Sequence, residues 1–165
     1  MITVHEVNGK PVWVDLFDPT PEELRKACAD YDLNIPPRAQ LEEIEFSSRL
    51  QYDDETFTLS VPVTPHRNSG AEDVTTPLGM VLTPDILVTI HFAQLHTFEA
   101  ITARVKRRPR SAPDIFLVIL EALIDYGADR LEELRAEALH ISQRIFHKGT
   151  HLEQTHNVSR VSRML

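Results

Sequence analysis

Leu117, Leu120, Ile124, Gly127, Leu131, Leu134, Ala138, Ile141 and Ile145 recur at alternating steps of three and four residues. On a helix such positions line one narrow seam, and a seam sustained over four heptads is the signature of packing against another long helix. The element opens at Ser111-Ala112-Pro113-Asp114, which caps it, and its pattern runs from Pro113 to His147. At about 1.5 Å per residue that is roughly 50 Å, too long for a domain of this size to cover. The helix is therefore expected to project or to pair with a neighbour. Gly127 on the seam costs about 1 kcal/mol of helix propensity, which a close backbone contact there would offset.

Beyond Lys148-Gly149-Thr150 a helical pattern resumes and stops at Arg163-Met164-Leu165 without cap, glycine or proline. It reads as a helix cut short, so the chain is expected to be part of a longer protein. Three segments follow: a domain over 1–110, the heptad-patterned helix over 111–148, and the start of a further helix over 149–165.

Upstream, strands and helices alternate. Two strands, 2–7 and 11–17, are joined by Asn8-Gly9, a strong hairpin signal. Thr20-Pro21-Glu22-Glu23 opens a helix with a capping box and a proline in its first turn, and the helix should reach Tyr31. A short helix is expected over Gln40–Phe46, then strands at 49–53, 56–63, 76–82 and 86–91. Residues 64–73 read as a polar loop and Thr83-Pro84-Asp85 as a turn. A helix from about Phe92 should end in Lys106-Arg107-Arg108 before Pro109, where the cations complement the helix dipole or hold an anion. The order implies an α/β chain with a core of its own.

With a formal charge of −8 over 165 residues, nucleic acid is excluded as a main partner, because phosphate neutralisation needs a basic surface. The lone Cys28 excludes an internal disulfide, fits a reducing compartment, and reads as a small buried hydrophobe. No basic segment followed by an apolar run stands at the N-terminus. The longest apolar run, Ile115 to Ile124, is interrupted by Glu121 and falls short of the about 20 residues of a membrane span. The chain as given is expected to be soluble.

Catalytic patterns are weak. Ser47 and Ser48 lack a glycine elbow, and no Gly-rich phosphate loop, Cys-x-x-Cys or His-Glu-x-x-His occurs. Histidines 147 and 151, four apart, have the spacing of two Zn²⁺ ligands on one helix face, with His140 and His156 nearby, or are scattered surface residues. His91 and His96 read as the end of a strand and the start of a helix. The segment Leu41-Glu42-Glu43-Ile44-Glu45-Phe46-Ser47-Ser48-Arg49-Leu50 carries three carboxylates on a short helix. It is either a solvated acidic face or a ligand set for a hard cation such as Mg²⁺, which is often held by one or two carboxylates and keeps its waters. Glu121, Asp125, Asp129, Glu132, Glu133 and Glu137 lie off the heptad seam, as a solvated stripe or a second half of such a site.

Trp13-Val14-Asp15-Leu16, Asp18-Pro19-Thr20, Glu22-Glu23-Leu24, the acid pair before Ser-Ser-Arg, Leu87-Val88-Thr89-Ile90 and the Ala122-Leu123-Ile124-Asp125 helix stand in an order that resembles the N-terminal domain of the CorA family of divalent-cation channels. The similarity covers nearly the whole chain. It implies an α/β/α sandwich with a mixed sheet and long antiparallel helices, a homo-pentamer, and a stalk helix, begun at 149–165, leading to membrane helices. It also implies a domain on the cytoplasmic side of the inner membrane and a role that is not enzymatic. Regulatory Mg²⁺, or Co²⁺, Ni²⁺ or Zn²⁺ in its place, would bind weakly between subunits at Glu42 and Glu43. Glu121 and Asp125 are further candidate ligands. Where the family usually has Glu-Asp, this chain has Glu42-Glu43. Remaining alternatives are a zinc-transporting relative of the same fold, a free-standing oligomeric module, and a metal-dependent hydrolase.

Overall fold

The structure, a computed structural model, describes residues 1–43, 49–53, 55–65, 75–107 and 110–161, and the side chains of these except at 96, 99, 106 and 145–161. Asn8 and Gly9, with φ of 54° and 75°, form the two-residue turn between β1 (Ile2–Val7) and β2 (Lys10–Phe17). Positive φ at both positions matches the twist of antiparallel strands, which is why Asn-Gly is favoured there. Helix α1 (Pro21–Tyr31) starts as expected: Glu23 N donates to Thr20 Oγ1 at 3.2 Å, and Thr20 N donates to Glu23 Oε2 at 2.9 Å. It ends at Asp32, whose left-handed backbone lets its N–H reach the Cys28 carbonyl.

Four more strands follow: β3 (Leu50–Asp53), β4 (Thr56–Val63), β5 (Thr76–Leu82) and β6 (Leu87–His91). The sheet order is β1-β2-β6-β5-β4-β3. The β2–β6 pair is parallel, from Trp13 opposite Leu87 to Phe17 opposite His91, and the other pairings are antiparallel. Every residue of β6 is buried, as required of a strand covered on both faces.

Period-2 alternation sorts the core into two layers. Val14, Leu16, Val81, Val88 and Ile90 pack with Ala27 of α1 and with Leu41 of α2 (Arg38–Leu41), and Cys28 lies partly buried against this cluster. On the opposite face Trp13, Leu78, Met80 and Leu87 are fully buried. There the Trp13 and Phe98 rings lie 6.0 Å apart, and Phe57 meets Phe116 edge-on at 5.6 Å. Phe98 belongs to α3 (His96–Arg107) and Phe116 to the start of α4 (Ala112–Val161). The α/β/α sandwich with a mixed sheet is thus the observed fold.

Three boundaries differ from expectation. Helix α2 spans Arg38–Leu41 rather than Gln40–Phe46, because the Pro37 carbonyl already accepts from Gln40 N and Leu41 N; residues 44–48 lie outside the described part. Helix α3 starts at His96 rather than near Phe92, since Phe92 is drawn onto the α1–α2 core cluster. Helix α4 runs through Gly149-Thr150 without a break. The expected loop over 64–73 falls mostly, and the end of the Lys106-Arg107-Arg108 cluster wholly, outside the described residues.

The chain divides into two compact units, Met1–Ala122 and Leu123–Leu165. In the first, α4 buries Ala112, Ile115, Phe116, Val118 and Ile119, while Leu117 on the heptad seam stays 56% exposed. In the second, the seam residues Ile124, Leu131, Leu134 and Ile141 are all exposed. The face that meets the sheet is therefore not the seam. Among the described residues no helix is long and apolar enough to cross a membrane.

A Cβ at Gly127 would meet nothing within 4 Å, so among the described residues no close backbone contact offsets its propensity cost. Gly127→Ala should stabilise this helix by about 1 kcal/mol, read as a higher melting temperature of helical circular dichroism in the chain. An unchanged or lower melting temperature would show that another helix already occupies that space.

Candidate functional site

The acid pair is positioned by one anchored residue. Leu41 is buried, with its side chain against Gly79 of β5: a Cβ at Gly79 would lie 2.8 Å from Leu41 Cδ2 and 2.7 Å from Ile90 Cγ2. The Leu41 carbonyl accepts a buried hydrogen bond from Ser60 Oγ at 2.9 Å. Ser60 and Gly79 are paired across β4 and β5, so both holds act at one spot on the sheet. The next two residues, Glu42 and Glu43, are exposed.

Glu42 accepts from Arg38 Nε at 2.7 Å, one helical turn earlier, with both side chains about half exposed. The Arg38 guanidinium lies 4.9 Å over the Phe92 ring. An exposed pair at this spacing is worth only about 0.3–0.5 kcal/mol, so a divalent cation could displace it at little cost. Two adjacent exposed carboxylates have the hard oxygen chemistry that Mg²⁺ takes, and too few ligands to hold it alone.

Glu121 and Asp125 are both exposed on α4, four residues apart in sequence and in different compact units. Among the described residues no three His, Cys, Asp or Glu side chains come together as a metal-holding group. Glu45 lies outside the described residues, as do the side chains of the histidines at 147, 151 and 156; His140 is exposed. Among the described residues the adjacent Glu42 and Glu43, and Glu121 and Asp125 on α4, are thus exposed and are not gathered into one group.

Sequence reasoning missed a second polar cluster. Trp13 Nε1 donates to Thr89 Oγ1 at 3.0 Å, and Thr89 Oγ1 donates to Asp15 Oδ1 at 2.6 Å. His91 Nε2 lies 3.2 Å from Asp15 Oδ1 and 3.3 Å from Oδ2, while its Nδ1 lies 2.8 Å from the Ala93 carbonyl. Both ring nitrogens face acceptors, an arrangement that only the doubly protonated imidazolium satisfies. Burial by itself would lower the His91 pKa. The hydrogen bond and charge of Asp15, with the Ala93 carbonyl, outweigh it and raise the value. The pairing follows from β2–β6 register, which sets Asp15 opposite Thr89 and Phe17 opposite His91. No local pattern announces it, because the partners are 76 residues apart.

The family described as CorA-like Mg²⁺ transporter protein matches residues 8–165. The chain belongs to this family. The magnesium transport protein CorA of Wolinella succinogenes is 28% identical over 141 residues, 82% of this chain and 44% of that protein, so the chain spans less than half of that relative's length. The solved soluble domain of CorA from Methanocaldococcus jannaschii has a TM-score of 0.59 at 18% identity, over 81% of this chain and 55% of that one. The ZntB cytoplasmic domain from Vibrio parahaemolyticus has a TM-score of 0.53 at 20% identity, over 73% of this chain and 52% of that one. At these identities the two structures establish the shared fold. The fold thus agrees with the family: the mixed sheet and its covering helices are those of a CorA soluble domain.

Gly79→Ala should destabilise the chain by about 1–3 kcal/mol in urea unfolding, because the added methyl must push Leu41 or Ile90 aside. The methyl resonances of Leu41 should shift with it; unchanged shifts would mean that Leu41 is not seated there. The raised His91 pKa also sets a pH dependence. The folded chain holds that proton more tightly than the unfolded chain, so the stabilisation is complete below about pH 6.5 and is lost as pH rises through the folded value. Unfolding free energy measured across this range should fall with rising pH, and His91→Gln should flatten the slope. An unflattened slope would place the proton elsewhere.

Proposed function

We propose that the chain is the cation-sensing domain, on the cytoplasmic side of the membrane, of a CorA-type Mg²⁺ channel or transporter. In this reading Glu42 and Glu43 are half of a regulatory site that a neighbouring subunit completes, with a stalk-helix carboxylate as the partner and long-helix acids such as Glu121 and Asp125 as further candidate ligands. The observation that carries the reading is the family match, which runs through the acid pair, combined with the fixing of that pair by Leu41 at an exposed helix end. The full protein would be a homo-pentamer whose further chain supplies the membrane helices. Its task is gated ion passage, not catalysis.

Facing carboxylates on neighbouring subunits repel one another when no cation is bound, which loosens the assembly and favours an open pore. Mg²⁺ supplies charge neutralisation there; Co²⁺ or Ni²⁺ would substitute, and Zn²⁺ is the ion of the alternative reading. Binding to one state stabilises it by RT ln(1 + [L]/Kd), about 0.4 kcal/mol per site at half saturation and about 2 kcal/mol over five sites. That shifts an open–closed equilibrium roughly 30-fold. Weak sites acting together therefore suffice for gating.

In the full-length protein, replacing Glu42 and Glu43 with Ala should shift inhibition of transport to higher Mg²⁺, and Arg38→Gln should shift it about twofold lower by freeing Glu42. Flux assays across a Mg²⁺ series read both. Inhibition unaltered in the double Ala variant would sink the proposal.

A further inference from the structure

Beside the Asp15–His91 pair, on the face of the sheet away from α1 and α2, lies a cavity of about 580 Å³. Its lining includes Thr3, Asp15, Phe17, His91, Phe98 and Thr102, all within the unit Met1–Ala122. That volume is in the range of small-molecule sites, which combine mostly apolar walls with a few convergent polar groups. Glu42 and Glu43 do not line it, so what it holds is separate from the proposed cation sensing.

The chemistry of the walls selects the ligand. His91 sits between two rings, 5.2 Å from Phe17 and 4.9 Å from Phe98, and its side chain is only 6% exposed. Both its nitrogens are committed, to Asp15 and to the Ala93 carbonyl, so it has no donor left to offer. Asp15 is more open, at 17% exposure. A carboxylate has about four lone-pair positions, and the Thr89 hydroxyl and the single His91 proton do not fill them. A ligand therefore meets an acceptor with spare capacity, flanked by aromatic surface. Cations are favoured against aromatic faces, and a planar amidinium or guanidinium matches a carboxylate with two parallel hydrogen bonds.

We propose that this cavity binds a small planar organic cation of the amidinium or guanidinium type, held on the Asp15 carboxylate beside Phe17 and Phe98. Such a ligand competes with the positive charge of His91 for the same carboxylate, so its binding drives off the His91 proton and tightens as pH rises. The other titratable groups about the cavity are His5 and the α-amino group of Met1, both from the β1 side. His5 is stacked on Trp13 at 4.5 Å, and the amino group donates to the Phe17 carbonyl at 2.7 Å and lies 3.6 Å from Glu23 of α1. From α3, the described lining side chains Phe98, Thr102 and Ala103 carry no charge.

The probe is benzamidine, cationic throughout the range, with benzamide as its neutral counterpart of the same shape. Titration of the chain, followed by amide chemical shifts, should show saturable benzamidine binding at least about tenfold tighter than benzamide, strengthening from pH 6 to pH 8. Asp15→Asn should abolish the preference for the cation. Because that change also disturbs the hydrogen bonds from Thr89 and His91, Ala103→Trp serves as the second variant: it adds bulk at an exposed lining residue, leaves the Asp15–His91 pair in place, and should weaken benzamidine by about tenfold with a near-normal melting temperature. Equal binding of the two probes, an affinity that falls as pH rises, or full affinity in Ala103→Trp would each overturn the proposal, as would absence of saturable binding.

Discussion

Among the described strands, β2 and β6 form the one parallel pairing, and that pairing joins the N-terminal hairpin to the β3–β6 strands. Closing it brings together residues more than seventy positions apart, an entropic cost that backbone hydrogen bonds alone recover slowly. The side chains reinforce it. Trp13, Thr89, Asp15 and His91 form a continuous chain of hydrogen bonds between the two strands, buried at Trp13 and Thr89. On the other face, Val14 and Leu16 meet Val88 and Ile90 in the core beneath α1 and α2. One joint thus sets where both helical layers can sit.

That joint also places the two proposed sites on opposite faces. Towards α2, Ile90 helps hold Leu41 over Gly79, and Leu41 in turn fixes where Glu42 and Glu43 begin. Towards α3, Asp15 and His91 line the cavity. The acid pair is exposed and weakly paired, as suits an ion that comes and goes. In the Asp15–His91 pair His91 is buried and Asp15 half-buried at the cavity wall, and the raised His91 pKa ties the pair to the pH dependence of stability.

How much of this was legible in the sequence depended on the range of the interactions. The Asn8-Gly9 turn and the Thr20–Glu23 capping box are decided within four residues, and both stand where the pattern put them. The starts of α2 and α3 were misplaced: bonds to the Pro37 carbonyl set the first, and packing set the second, since Phe92 follows the core rather than helix periodicity. His91 read as a strand end, which it is, but its partnership with Asp15 depends on strand register and left no local trace. The heptad seam was readable and its partner was not, since its residues Leu117, Ile124, Leu131, Leu134 and Ile141 are exposed and the face buried on the sheet is a different one. For the acid pair, the sequence offered the residues and the family resemblance their proposed role; the anchoring through Ser60 and Gly79 came only with the fold.

The central claim is that Glu42 and Glu43 are half of a site. Mg²⁺ binding measured by calorimetry on the monomeric chain and on the assembled full-length protein tests it most directly. The account predicts saturable binding in the assembly that depends on Glu42 and Glu43, and binding at least about tenfold weaker in the monomer, where a neighbour's carboxylates are missing. Equal affinity in the two forms would contradict it.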